Sequence, residues 1–323
     1  MLSFLLRRLL QGVAIIWIVV TLTFALVHAA PGEPFAGALD DRRTTAAARA
    51  ALRERYGLDR PLPEQYLRFL AGVARGELGV SLSQERPVRE ILAQALPRTL
   101  LLMGCALAAG FTLGIGLGAA QATREGSLAD RMATRATVVL TAIPDFWLAL
   151  ALMLVFAVRL RWLPTAGMTT EGMHDYMTPA GRLADVARHL VLPVAALGLI
   201  LTGVVARHQR AALLEVLPDD FVRTARAKGV PERSVLRRHA LRNALLPVIT
   251  LLGLALPALV GGSVFVETIF AWPGMGKVAV DAISQRDYPV VLGTALVASV
   301  VVVLASMLAD ALYAASDPRT RSA

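Results

Sequence analysis

The residues with the most scope for chemistry form one polar stretch, 219–250, in a very apolar chain. Acidic residues stand at its start and basic residues follow, an order that complements the dipole of a helix capped by Asp219. Gly229 is the residue type that commonly follows the end of a helix, and Pro231 suits the first position of a second helix. The pattern predicts two short helices joined at a glycine. Taken singly, each arginine is also typical of a solvated cytoplasmic loop.

The sequence offers little to a catalytic or metal-binding site. Cys105 is the only cysteine, which excludes an internal disulfide and a cysteine metal site, and the five histidines include no H-E-x-x-H pattern. The nearest match to a nucleotide-binding P-loop, 274–277, lacks the upstream glycine and continues with Val278. We therefore expect no catalytic residue, no metal ligand and no cofactor in this chain.

Composition and hydropathy predict an all-α, multi-pass membrane protein. The chain has 323 residues, of which 56% are hydrophobic, and a mean hydropathy of +0.58. Six apolar runs are long enough to cross a membrane as helices. They cover 9–29, 98–121, 134–158, 190–206, 244–266 and 289–315. The first run could instead be a cleaved signal peptide, but it exceeds the ~7–15 apolar residues of such a peptide, which favours a retained span.

The distribution of charge predicts the orientation of the spans. A net charge of +9 would also suit a nucleic-acid-binding protein. However, arginine is in excess mainly in the short segments on the side of the N-terminus, as the positive-inside rule expects for cytoplasmic loops. We therefore expect both termini and the polar stretch on the cytoplasmic side of the membrane, with lipid around the spans and no nucleic-acid partner.

The polar stretch resembles the cytoplasmic coupling loop of ABC-transporter permeases. The general family pattern is Glu-Ala-Ala, three residues and Gly; Gly229 and Ala225 match it, while Arg223 and Thr224 replace its first two residues. The branch that imports peptides, nickel and glutathione is more similar, through 221–229 and 239–247. By this resemblance the coupling loop is 212–243. Its ATPase-docking residues are expected to be Asp220, Phe221, Arg223, Thr224, Ala225, Arg226, Lys228, Gly229, His239, Arg242 and Asn243.

The resemblance extends over nearly the whole chain. Further matches to the peptide branch lie in the first external segment, at 267–276 and near the C-terminus. The similarity implies a type I importer permease fold, MetI-like, with six transmembrane helices. The domains it implies are a first span at 1–29, an external helical segment at 30–97, a permease core at 98–315 and a cytoplasmic tail at 316–323.

The same resemblance implies a function and a set of partners. It implies a non-catalytic subunit that forms half of a path for dipeptides or oligopeptides; nickel chelates and glutathione stay open as alternative substrates. The expected partners are a second, homologous permease, two ATP-binding subunits that hold ATP and magnesium, and an extracytoplasmic substrate-binding protein.

Two acidic residues are candidates for the translocation path. Asp145 follows Pro144 inside the third apolar run, where a charge costs ~2.5–3.5 kcal/mol on insertion scales, so we expect it to face the interior. Water or a proline-opened backbone could instead satisfy it. Glu267 at the outer end of the fifth run either lines the path or is solvated. An ion-coupled secondary transporter would use such acids as well, but it would leave the coupling stretch without a purpose. An intramembrane enzyme lacks its nucleophile and base.

Overall fold

The computed structural model describes residues 2–30, 59–261 and 264–316. These residues form helices and connecting loops, with no β-strand among them. Residues 31–58, in the predicted external segment, and the C-terminal tail from residue 317 lie outside the described residues.

Thirteen α-helices are numbered here in chain order within the described part. Helices α1 to α3 are Leu2–Ala29, Leu62–Arg75 and Val88–Ala122. Helices α4 and α5 are Leu128–Ala142 and Asp145–Leu152, and a π-helical turn, Met153–Arg159, continues α5. Helices α6 and α7 are Pro179–Val216 and Asp220–Ala227. Helix α8, Glu232–Ser234, passes through a π-helical turn, Val235–Ala240, into α9, Leu241–Ala244. Helices α10 to α13 are Leu246–Gly261, Val264–Ile269, Met275–Gln285 and Tyr288–Ser316.

The described helices account for the six predicted spans. Four helices are long and apolar enough to cross a membrane unaided: α1, α3, α6 and α13. Two more candidate spans are bent: α4 and α5 meet at 106°, and the 232–244 segment meets α10 at 47°. The first bend falls at Pro144, which has no amide hydrogen for the helix ladder and restricts the residue before it. Counting each bent pair as one span gives six.

Two of the spanning helices begin well before their apolar runs. Helix α3 starts at Val88, ten residues ahead of the run that was expected to start at Arg98, and it continues through Pro97. Helix α6 starts at Pro179, where Thr178 accepts a hydrogen bond from the amide of Gly181 as a helix N-cap. The predicted boundary between an external segment and a permease core at 97 and 98 therefore falls inside one uninterrupted helix.

The chain divides into two compact units. The first contains Met1–Thr99 and Pro273–Val303, and the second contains Leu100–Trp272 and Leu304–Ala323. In the first unit, Val88 and Leu92 of α3 pack with Met275, Ala282 and Val290 in one buried cluster. The start of α13 is fixed in the same unit by a buried carboxylate. Asp287 accepts hydrogen bonds from both Ser81 Oγ (2.5 Å) and Ser83 Oγ (2.8 Å).

In the second unit, helices α3 and α6 cross at very short range. Three glycines at four-residue spacing, Gly110, Gly114 and Gly118, line the face of α3 that meets α6. A Cβ at Gly118 would lie 2.5 Å from the carbonyl oxygen of Ala206, and one at Gly114 would lie 2.6 Å from Cβ of Val205. Only a residue without a side chain fits at these positions, so the two backbones pack closely, as this spacing of glycines predicts for membrane helices.

Candidate functional site

The first half of the coupling segment is the short, exposed helix α7. Asp219 precedes it in an extended conformation (φ −60°, ψ 149°), as an N-cap residue should, although its side chain makes no capping hydrogen bond. Val222 and Ala225, three residues apart, form its buried side. The opposite side is exposed and carries Phe221, a large apolar ring that is 40% exposed, among charged neighbours. The remaining exposed docking candidates of this helix and its end are Asp220, Arg223, Thr224, Arg226 and Lys228.

Gly229 ends this helix in the conformation that the sequence predicted. Its φ is +73°, in the left-handed region. The amide of Gly229 donates to the carbonyl of Arg226 (2.9 Å), and the amide of Val230 donates to the carbonyl of Ala225 (3.3 Å). These two hydrogen bonds form a Schellman motif, which satisfies carbonyl groups that a helix end would leave without partners. The glycine therefore sets the angle at which the chain leaves α7.

The second half of the segment differs from the expected plain helix. Pro231 lies one position earlier than predicted, as the N-cap residue, because its ψ of 137° is not helical. The helix begins at Glu232 and widens into a π-helical turn over 235–240. That wider turn brings Val235 and Ala240, five residues apart, to the same buried side. The 3.6-residue period of an α-helix does not predict that residues five apart share the buried side.

An ion pair connects the two halves across the glycine. Nη2 and Nε of Arg226 donate to the carboxylate oxygens of Glu232 at 2.7 and 3.1 Å. This hydrogen-bonded carboxylate raises the pKa of Arg226 above its ordinary value. Both side chains are largely exposed, so salt screens the pair and its contribution to stability is small. The pair orients the two halves more than it stabilises them.

The buried side of the coupling segment packs directly on the spans. One apolar cluster joins Val222 and Ala225 of α7 and Val235 of the π turn with Ala122 of α3 and Leu213 of α6. The exposed candidates therefore lie on the outer side of the coupling segment, and the opposite, buried side of the segment packs on α3 and α6. Among the later candidates, Arg242 and Asn243 are exposed, whereas His239 is half-buried.

A second connection near this cluster was not predicted. Arg210 of α6 donates two hydrogen bonds of 2.9 Å, from Nε and Nη2, to the two carboxylate oxygens of the buried Asp130. Asp130 also accepts from the amide of Gly126 at 3.1 Å. Ser127 and Asp130 have the spacing of a helix cap, which is a signal in the sequence, but the partner is 80 residues away. The pair ties the start of α4 to α6, and Gly126 connects the loop before α4 to the same carboxylate.

The candidate path residues lie in different environments. Asp145 is the first residue of α5, at the bend after Pro144, and one of its carboxylate oxygens accepts the amide hydrogen of Phe146 (2.8 Å). A helix N-terminus favours a negative charge, so the bend itself lowers the cost of this acid. Glu267 in α11 is fully buried within the chain, which excludes the solvated alternative. Whether either residue lines the path stays a prediction.

The sequence Trp-Pro-Gly at 272–274 is typical of an interfacial turn with an aromatic anchor. The structure buries Trp272 completely, and its amide donates to the carbonyl of Glu267 at 2.8 Å. A three-residue pattern does not show this burial.

A buried carboxylate in the second unit binds two histidines that sequence reasoning left apart. Asp185 accepts hydrogen bonds from Thr170 Oγ1 (2.6 Å) and the amide of Thr170 (2.9 Å). The Nδ1 atom of His174 lies 2.8 Å from its carboxylate. The Nδ1 atom of His189 lies 3.4 Å from the carboxylate and 2.9 Å from the backbone carbonyl oxygen of Asp185, its hydrogen-bond partner. In the part of the chain that the structure describes, no three His, Cys, Asp or Glu side chains could together hold a metal ion. The cluster fixes the loop before α6.

Comparisons with known proteins agree with this architecture. The family described as the binding-protein-dependent transport system inner membrane component matches residues 110–322, and its N-terminal companion matches residues 1–103. The oligopeptide transport system permease protein AppB of Bacillus subtilis is 40% identical over 320 residues, covering 99% of each chain. The dipeptide permease protein DppB of Escherichia coli K12 is 36% identical over 336 residues, again covering 99% of each.

Further similarities support the family and the fold. The glutathione transport system permease protein GsiC of Pectobacterium atrosepticum is 39% identical over 321 residues, covering 99% of both chains. An inward-facing structure of the MetNI methionine ABC transporter matches with a TM-score of 0.53 at 19% identity, over 70% of this chain and 96% of that one. The match to the MetNI structure shows the fold, a MetI-like arrangement of transmembrane helices. The chain belongs to the family of binding-protein-dependent transport system inner membrane components, the permease subunits of ABC importers.

Proposed function

We propose that the chain forms half of the membrane path of an ATP-driven importer of di- and oligopeptides. The observation that carries this proposal is the coupling segment: an exposed helix α7, ended by a left-handed glycine, whose buried side packs on two spans. The sequence has no P-loop, so the ATPase must be a separate protein, which alone binds ATP and magnesium. Full-length similarity to oligopeptide and dipeptide permeases favours peptides as the cargo.

In this proposal the exposed side of α7 enters a recess of the ATPase. Phe221 supplies the apolar contact, because a large exposed ring surrounded by charge is typical of the centre of a protein interface. Arg223, Arg226 and Lys228 supply the polar rim. When the ATPase subunits close, the displacement of α7 passes to α3 and α6 through the apolar cluster beneath it.

The remaining partners follow from the family. We propose a second, similar permease beside this one, two ATPase subunits, and an external binding protein that delivers the peptide. The expected setting is the bacterial inner membrane with both termini in the cytoplasm. Glutathione is the second candidate cargo, since a glutathione permease is about as similar to this chain as the peptide permeases are.

A transport assay with the complete set of subunits tests the proposal. The chain is co-expressed with a partner permease and ATPase subunits of the same family in cells that lack peptide uptake, and accumulation of labelled dipeptide is measured. We expect ATP-dependent uptake that unlabelled di- and oligopeptides inhibit and that glutathione or nickel does not. Inhibition by glutathione alone would assign the second cargo. Uptake by the purified permease without any ATPase, driven by an ion gradient, would refute the proposal.

A further inference from the structure

Two buried glutamines of the second unit have side-chain atoms that no hydrogen-bond partner reaches in the part of the chain that the structure describes. Gln209 of α6 is completely buried, and this holds for both its Oε1 and its Nε2. Gln121 of α3 is 3% exposed, and it holds there for Oε1. A buried amide without a partner is costly, because it has lost water and gained no other hydrogen bond. Three atoms therefore need a partner: two acceptors and one donor.

The two glutamines lie where α3 and α6 cross at short range. A Cβ at Gly118 would lie 2.8 Å from Cβ of Gln209, so the two helices touch at this level. Gln121 follows Gly118 by three residues, which places it on the same side of α3. Ala122 and Leu213, within about one turn of the glutamines, belong to the apolar cluster on which α7 packs. The two amides therefore lie next to that cluster, between two membrane helices.

Hydrogen bonds already connect the two glutamines indirectly, through α4. Gln121 Nε2 donates to Oγ1 of Thr134 (3.3 Å), and Thr134 Oγ1 donates to the buried carboxylate of Asp130 (3.3 Å). That carboxylate accepts the two hydrogen bonds from Arg210, the residue after Gln209. The connections run from α3 through α4 to α6. A link from Gln209 back to Gln121 would close them into a ring.

We propose that ordered water binds between Gln209 and Gln121 and closes this ring. Water suits all three atoms, because it both donates and accepts hydrogen bonds and buried waters usually make about three. A metal cation would serve the two Oε1 atoms and leave Nε2 of Gln209 without an acceptor. An anion would serve Nε2 and leave both oxygens without a donor. The donor and acceptor set therefore selects water over an ion.

The site is close to solvent, and water there would connect three helices. The side chain of Arg210 is 28% exposed, so bulk water lies one residue away from Gln209. A bridging water is nearly as favourable in enthalpy as a direct hydrogen bond. With this bridge, α3, α4 and α6 are each hydrogen-bonded to the other two beside the apolar cluster. The ring holds these helices together when α7 is displaced.

A structure of the assembled transporter at a resolution that shows ordered water tests the site directly. The permease with its partner subunits is reconstituted in nanodiscs and studied by electron cryo-microscopy. We expect at least one water peak about 2.7–3.2 Å from an amide atom of Gln209 and from Oε1 of Gln121. A closely packed site without a peak would overturn the proposal. A direct hydrogen bond between the two glutamines, or a peak with only oxygen neighbours in a metal-like shell, would overturn it as well.

The sign of a stability change gives an independent test. Gln209→Met keeps the length of the side chain and removes the amide. If the amide had no partner, this variant would raise the thermal midpoint of the complex, because it removes a buried unpaired group. With water bound we expect a fall of about 2–4 °C, since the bridge between α3 and α6 is lost. A raised midpoint would contradict the proposal.

Two further variants complete the comparison. Leu213→Met, one turn further along α6, places the same side chain among apolar neighbours and should shift the midpoint less. Gln121→Met/Gln209→Met should lose less than the sum of the two single changes, because both break the same bridge; additive losses would contradict it. The cryo-microscopy uses the unmodified protein, so it decides the question even where a variant does not accumulate. Neither measurement needs transport, so its failure is distinct from failure of the proposed peptide import.

Discussion

Substitution of Gly229 tests whether the geometry of the turn after α7 matters for coupling. Gly229 has a φ of +73°, and a Cβ built on it would meet no atom within 4 Å. The cost of a side chain there is therefore a backbone cost and not a clash. For ordinary residues the left-handed conformation costs about 1–2 kcal/mol, more for β-branched residues, and asparagine tolerates it best.

This difference defines the variants and the expected size of the effect. Gly229→Val should favour another backbone conformation, break the two hydrogen bonds of the Schellman motif and reorient the chain after α7. If the docked state requires the native turn, 1–2 kcal/mol corresponds to about 5- to 30-fold weaker association with the ATPase. Gly229→Asn fills the same open space with a side chain that accepts positive φ, so it should bind nearly as the unmodified chain does.

Three measurements check this expectation. Immunoblots of membranes should show near-normal amounts of both variants, because the apolar spans are unchanged. Co-purification with the ATPase subunits and ATP-driven uptake should both fall for Gly229→Val and stay close to normal for Gly229→Asn. Normal association of Gly229→Val would refute the role of the turn. Equal damage by both variants would show that side-chain volume matters instead of φ. Absence of Gly229→Val from the membrane would assign the glycine to folding.

Three further predictions concern other parts of the second unit. Asp145→Cys, with Cys105 replaced by serine, should react with a water-soluble thiol reagent; reaction with a lipid-phase probe alone would contradict an interior position. Gly118→Val should sharply reduce the folded protein in the membrane, because its Cβ would meet the α6 backbone, whereas Gly116→Val should not, since a Cβ there meets nothing within 4 Å. Asp185→Asn should speed hydrogen exchange in the loop before α6 several-fold, and unchanged exchange would argue against its fixing role.

The parts of the fold that were predicted from sequence are those that local physics decides. Apolar runs set the number of spans, because each must bury its backbone polar groups in a helix across the hydrocarbon. Pro144 marked the bend of the third span, and Gly229 marked the end of α7. The spacing of Gly110, Gly114 and Gly118 indicated a close helix crossing. In each case a single residue type or spacing is nearly sufficient to predict the local structure.

The parts that were not predicted depend on contacts between distant residues. Nothing near Arg210 in the sequence shows that its carboxylate partner is 80 residues earlier, and nothing near Asp185 shows that Thr170 and two histidines converge on it. The early start of α3 at Val88 has a similar cause: its first turns are polar enough to resemble a loop, but their apolar side packs on Met275 and Val290. Such packing is visible only once the chain is folded.

The second unit also indicates which helices would respond first to a displaced α7. The α3–α6 crossing has no side chain between its backbones at Gly114 and Gly118, and the Arg210–Asp130 pair ties α6 to the start of α4. Two helices in such contact have little freedom to slide separately. Since α7 rests on both of them, they should move with it as one body. Helix α10 packs on the same two helices, because its Val248 shares a buried cluster with Phe111 of α3 and Val205 of α6. A displaced coupling segment would thus act on α3, α6 and α10 together.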